Sequence, residues 1–202
     1  MSQSATRHDR INLKEAVILL LEPNPQGMDV FCQILTGFGS KKIFKASDYE
    51  SARELAETHT LDLIICEGAN GSDGRDGFDF VHWLRNSDLD PNAYVPVIIS
   101  SAHTGVSSVK RGRDCGANFF VMKPMSPTVL LDRILWVAQE KRPFIRCPVY
   151  VGPDRRFKNL GPPVGAVGRR ANDLSAEVGV AVEPNMSQDE IDSLMQPKRA
   201  SA

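Results

Sequence analysis

Three stretches of the chain are apolar almost throughout: Ala16 to Leu21 (AVILLL), Leu61 to Cys66 (LDLIIC) and Val95 to Ile99 (VPVII). Short unbroken runs of this kind mark strands covered on both faces. Lys42 to Ala46 and Phe119 to Met122 complete a set of five strands. Between them the spacing changes to that of a helix. Met28, Phe31, Ile34, Leu35 and Phe38 share one face, and Gly37 and Gly39 end that segment. Ser47 or Asp48 can cap the helix DYESARELAETH. A Gly/Asp-rich loop, EGANGSDGRDG, leads to a helix at about residues 78–86, and another helix is expected near Val106 to Cys115. Ser126 caps the last one, whose Leu130, Ile134, Leu135 and Val137 form one apolar face. Alternating strands and helices predict an α/β fold, a five-stranded parallel sheet with helices on both faces.

In such a fold the site lies at the carboxyl ends of the strands. Those ends carry Glu22, Glu67, Ser100, Ser101 and Lys123. Two acids, a hydroxyl pair and a lysine converge on one rim. Ser100 and Ser101 also have a plain reading as polar residues that end a buried strand.

Charge divides the chain near residue 140. Residues 1–140 hold 14 Lys or Arg against 18 Asp or Glu, residues 141–170 hold 8 bases against the single acid Asp154, and residues 171–197 hold 6 acids and no base. Apolar periodicity also fades beyond Arg142, so the expected organisation has several parts. Residues 1–13 are disordered, residues 14–140 form the domain, and residues 141–185 are an extended Pro/Gly-rich linker. A short helix follows at residues 186–196, and residues 197–202 are disordered. A formal net charge of -1 excludes a chain-wide nucleic-acid-binding charge. No apolar run approaches the roughly 20 residues of a membrane span. Cys32, Cys66, Cys115 and Cys147 lie far apart, as free thiols of a cytoplasmic protein would.

The stretches VILLLEPNP, LDLIICE, DGFDFVHWLR, VPVIISSA and GANFFVMKP, in this order at these strand ends, resemble the receiver domain of bacterial two-component response regulators over about residues 14–140. The resemblance implies the flavodoxin-like receiver fold. It also implies a site in which acids after the first strand hold Mg²⁺ and an Asp ending the third accepts a phosphoryl group from a histidine kinase. A Ser or Thr and a Lys then bind the phosphoryl oxygens, and an aromatic residue on the fifth strand signals to an output face. By position Glu22 matches the first acid, Ser101 the hydroxyl, Lys123 with Pro124 the lysine, and Phe120 the switch aromatic. Two positions depart. Pro23 stands where a second metal-holding acid belongs, and Glu67 replaces the phospho-accepting Asp. An octahedral Mg²⁺ needs oxygen ligands, so Mg²⁺ at Glu22 and Glu67 is expected to be weak or absent. The extra methylene of Glu67 misaligns in-line attack, where a ~1 Å error costs on the order of 100-fold. It also brings the carboxylate towards Lys123 and Ser101.

The tail segment MSQDEIDSLM reads, on bare physics, as a helix. Ser187 and Glu190 form a capping box, and Ile191, Leu194 and Met195 form a narrow apolar stripe. It is too short to be stable alone. It also resembles the receiver-binding N-terminal segment of the flagellar switch protein at Ser187, Gln188, Glu190, Ile191, Asp192 and Leu194. Docking on the face of the fourth helix, fifth strand and fifth helix is expected, on its own domain, a second copy or another receiver.

Three functions follow. The first is a non-enzymatic, receiver-like signalling module that binds protein partners, namely a histidine kinase, chemotaxis or flagellar switch components, or another receiver. The second is a working Mg²⁺-dependent phosphoacceptor using Glu67 or a loop acid, Asp73 or Asp76. The third, ranked last, is a nucleic-acid-associated regulator using Arg155, Arg156, Lys158, Arg169 and Arg170, since no helix-turn-helix follows residue 140.

Overall fold

The structure is a computed structural model that describes residues 13–68, 75–140, 142–155 and 186–195. Five strands, β1 (Val17–Leu21), β2 (Lys42–Ala46), β3 (Leu63–Glu67), β4 (Val97–Ser101) and β5 (Phe119–Met122), form one parallel sheet in the order β2-β1-β3-β4-β5. Five helices follow them: α1 (Pro25–Gly37), α2 (Tyr49–Thr58), α3 (Gly77–Asn86), α4 (Val106–Asp114) and α5 (Pro127–Ala138). The expected α/β fold is therefore the observed one. β3 and β4 each begin two residues later than the apolar runs suggest. The Leu61 amide is instead taken by the Asn92 side chain, and the Asp62 amide bonds to Val17 O.

Two apolar layers flank the sheet. Leu19, Ile64, Ile99 and Phe120 face α2, α3 and α4, while Leu20, Ile65, Ile98 and Val121 face α1 and α5. Helix starts follow the capping chemistry. Asn24 accepts from Gln26 N and Gly27 N, Asp48 and Asp76 close capping boxes, and Ser126 accepts from Val129 N. No helix among the described residues is long and apolar enough to cross a membrane.

The linker expected from residue 141 onward does not begin there. Strands β6 (Phe144–Cys147) and β7 (Tyr150–Pro153) pair as an antiparallel hairpin seated on the domain. Its anchor is Arg85 of α3, whose side chain is wholly buried. The guanidinium donates to Gly116 O, Ala93 O and Asn118 Oδ1, and it lies 5.0 Å over the Phe144 ring. Burial lowers its pKa to about 10. Gly116 has φ +97, and a Cβ there would lie 2.3 Å from Val151 O, so only glycine admits the hairpin. Arg155 closes the far end by pairing with Asp114 and stacking 3.9 Å over Tyr150.

An eight-residue helix, α6 (Gln188–Met195), packs on β5 and α4. Ile191 and Met195 are buried there, and Leu194 is half-buried.

Candidate functional site

The sheet brings the carboxyl ends of β1, β3, β4 and β5 to one rim. Glu22, directly after β1, and Glu67, the last residue of β3, are 3% and 4% exposed. Close backbone approach makes room for them. A Cβ on Gly27 would lie 2.9 Å from Glu22 Cδ, and one on Gly77 would lie 1.8 Å from Glu67 O.

Lys123 leaves the end of β5 and reaches across the rim. Its ammonium donates to Glu22 Oε2 and to Glu67 Oε2. Burial alone would push the Lys123 pKa down, but hydrogen bonds and charge from the two carboxylates outweigh it and hold the pKa above its ordinary value. The Phe31 ring lies 5.3 Å beneath the same nitrogen. Glu22 Oε1 accepts from Asn24 N at 3.0 Å. Glu67 Oε1 is buried and has no hydrogen-bond partner among the described residues.

Ser101 does not join this cluster through Glu67. Its Oγ accepts from His103 N at 3.2 Å, and Ser100 Oγ donates to Cys66 O at 3.5 Å. The extra methylene of Glu67 carries its carboxylate to Lys123 alone, because two buried charges compete for one ammonium while the serines find backbone partners.

The residues present do not fit Mg²⁺. Such an ion takes near-octahedral oxygen ligands. Here an ammonium stands between the two carboxylates that would supply them, and Pro23 offers no third. Among the described residues no group of three His, Cys, Asp or Glu side chains could hold a metal. The orphaned Glu67 Oε1 is a single acceptor.

Asp76, one of the two loop acids that could stand in as acceptor, is committed elsewhere. Its Oδ1 caps α3 by accepting from Phe78 N and Asp79 N at 3.0 and 3.1 Å, and Arg111 of α4 grips both of its oxygens. Burial raises its pKa, with Arg111 opposing. Asp73 lies outside the described residues.

Phe120, at the switch position, is fully buried and stacked on Phe78, ring centroids 6.3 Å apart. Gly112 of α4 allows it, since a Cβ there would lie 2.6 Å from the Phe120 ring. The backbone of the same residue meets α6. Gln188 Nε2 donates to Phe120 O at 3.4 Å, and Gln188 Oε1 accepts from Met122 N at 3.0 Å. Asp192 accepts from Arg133 of α5 at 2.7 Å. Ser187 and Glu190 bond to each other and not to the domain. Met186 exchanges two hydrogen bonds with Thr104, through its N–H to Thr104 O and from Thr104 Oγ1 to its carbonyl.

Arg133, Arg111, Thr104 and Met186 carry much of this geometry, and the sequence offered little to find them. An arginine on a helix is usually solvated, and only its docked partner shows what it faces. Of the five basic positions considered for nucleic acid, Arg155 is described, and it is spent on Asp114 and Tyr150. Arg156, Lys158, Arg169 and Arg170 lie outside the described residues.

Comparison with known proteins agrees with the fold. The family model for the response regulator receiver domain matches residues 18–135. The transcriptional regulatory protein PdtaR of Mycobacterium tuberculosis is 30% identical over 102 residues, which is 50% of this chain and 46% of that protein. The phosphate regulon transcriptional regulatory protein PhoB of Escherichia coli is 27% identical over 126 residues, 62% of this chain and 53% of that protein. The chain thus spans about half the length of the curated relatives it matches. Among solved structures, the receiver domain of the sensor histidine kinase PA1611 from Pseudomonas aeruginosa, with magnesium in its active site cleft, superposes with a TM-score of 0.54 at 25% identity. That match covers 61% of this chain and 98% of that one.

Proposed function

The chain belongs to the response regulator receiver family, and from that premise we propose that it is a receiver which signals without being phosphorylated in the usual way. The single observation that carries this reading is Lys123, whose ammonium joins Glu22 and Glu67. In a phosphoacceptor the acidic rim is left for a metal and an incoming phosphoryl group. Here one ammonium already bridges the two carboxylates and offsets part of their charge, and the residue at the acceptor position is itself part of the ion pair. A carboxylate bound to a lysine, one methylene longer than Asp, occupies space that a phosphoryl group would need. The domain then acts by binding proteins through the face of α4, β5 and α5 and through its C-terminal motif, as a cytoplasmic component of a two-component or chemotaxis pathway. Partners of the expected kind are a histidine kinase, a chemotaxis or flagellar switch component, or another receiver.

Intact mass after incubation with Mg²⁺ and acetyl phosphate tests this. Wild type gains no phosphoryl group, whereas a variant carrying both Pro23→Asp and Glu67→Asp, which restores two short carboxylates, gains one. A phosphoryl group on the wild-type chain overturns the reading and makes the protein a working phosphoswitch.

A further inference from the structure

Helix α6 has eight residues, too few to hold a helix in water unaided. What fixes it is one line of side chains. Gln188, Ile191, Asp192 and Met195, at i, i+3, i+4 and i+7, make its contacts with β5 and α5 or enter the core, while Ser187 and Glu190 point away and close the first turn on each other. Contact along a single helical stripe is how a helix sits in a groove. The fit is incomplete, because Arg133 Nε is buried without a hydrogen-bond partner among the described residues.

The seat also touches the rim. Thr104, bonded twice to Met186, follows Ser101 by three residues on the β4–α4 loop, and Gln188 bonds the backbone of Phe120. Finally, residues 156–185 join α6 to the hairpin covalently. Docking within one chain is intramolecular, so a modest intrinsic affinity suffices for occupancy, and a partner can still displace the helix.

We propose that α6 is a displaceable resident of the α4–β5–α5 face, and that the partner it excludes is an amphipathic helix of the same chemistry. Such a helix carries an amide for the β5 backbone, an apolar residue at i+3, an acid for Arg133 at i+4 and an apolar residue at i+7. This deepens the reading above and rests on it for the identity of the binding face.

The test uses full-length chains without Mg²⁺ or phosphodonor and a fluorescein-labelled peptide of residues 186–195, followed by anisotropy. Ile191→Asp and, separately, Asp192→Arg unseat the resident helix. The second leaves the apolar core intact and serves if the first disturbs folding, which melting curves report. The peptide binds the unseated chains at least about tenfold more tightly than wild type, and adding Arg133→Glu to Ile191→Asp abolishes that gain. Equal affinity for wild type and unseated chains, or no binding to any unseated chain, overturns the proposal. Phosphorylation of wild type would overturn the non-phosphorylated reading alone and leave this titration unchanged, so the two failures are distinguishable.

Discussion

The ammonium of Lys123 donates to Glu22 and Glu67 at once, tying the ends of β1, β3 and β5 through one nitrogen. Replacing it with methionine keeps the length of the stem and strands two buried carboxylates. Breaking a buried pair on one side costs about 3–5 kcal/mol, and Lys123→Met is expected to lose an amount of that order in urea unfolding at neutral pH.

The same ion pair predicts a pH dependence. The Lys123 pKa is raised above its ordinary value of 10.5 in the folded chain. Its contribution is therefore complete below that ordinary value and is lost as pH rises through the higher folded value. The stability gap between wild type and Lys123→Met stays constant from neutral pH to about pH 10 and closes above it. A gap that shrinks between neutral pH and about pH 9 would contradict this assignment.

Gly112 and Phe120 offer a test in which propensity and packing oppose each other. Glycine to alanine inside a helix gains about 1 kcal/mol by propensity alone. Because the new methyl would lie 2.6 Å from the Phe120 ring, Gly112→Ala is expected instead to lose about 1–2 kcal/mol net. Faster hydrogen exchange at the Ile191 amide should accompany the loss, since a displaced Phe120 moves the backbone that Gln188 binds.

Arg133 and Asp192 are each about one-fifth to one-quarter exposed. A double-mutant cycle to alanine, read by exchange protection of α6, is expected to give a coupling of about 0.5–1 kcal/mol, as for partly solvated pairs. No coupling would mean that the pair does not help to seat the helix.

Arg85→Met removes three hydrogen bonds to buried acceptors and the cation beneath Phe144. Asn118 Oδ1 keeps its bond from Val97 N, but Gly116 O and Ala93 O lose the Arg85 donor. An unsatisfied buried acceptor costs about 1–3 kcal/mol, so a total loss of several kcal/mol is expected. Proteolysis within residues 144–153 before the sheet unfolds would show that Arg85 is the anchor of the hairpin.

The sheet was legible because strands buried on both faces need unbroken apolar runs, and Val17–Leu21 and Leu63–Cys66 supply them. The rim was legible for a related reason: Glu22, Glu67, Ser101 and Lys123 are polar residues placed where such runs stop. The hairpin was not. Its residues are mixed in character, and what orders them is a guanidinium from α3, far away in sequence, within a helix whose DFVHWLRN segment gives no sign that its arginine is the buried one. The Ser101 partner was likewise invisible, because the choice between a carboxylate and the His103 amide depends on angles that spacing does not encode. In the tail helix the apolar stripe could be read, but the division of MSQDEIDSLM into Gln188 and Asp192 facing the domain and Ser187 and Glu190 facing away could not.

The bond between Gln188 and β5 has a consequence for solubility. The sheet ends at β2 on one side and at β5 on the other. β2 reads KIFKA, and its two lysines discourage another strand from joining it. β5 reads FFVM, four apolar residues with no charge and no proline, so its own residues do nothing to guard that edge. Its outward Phe120 carbonyl and Met122 amide are met by one glutamine side chain, which mimics the peptide group of a sixth strand. A chain shorn of its last helix would therefore present a bare, sticky margin, and its loss from solution on standing would report strand-to-strand association between copies.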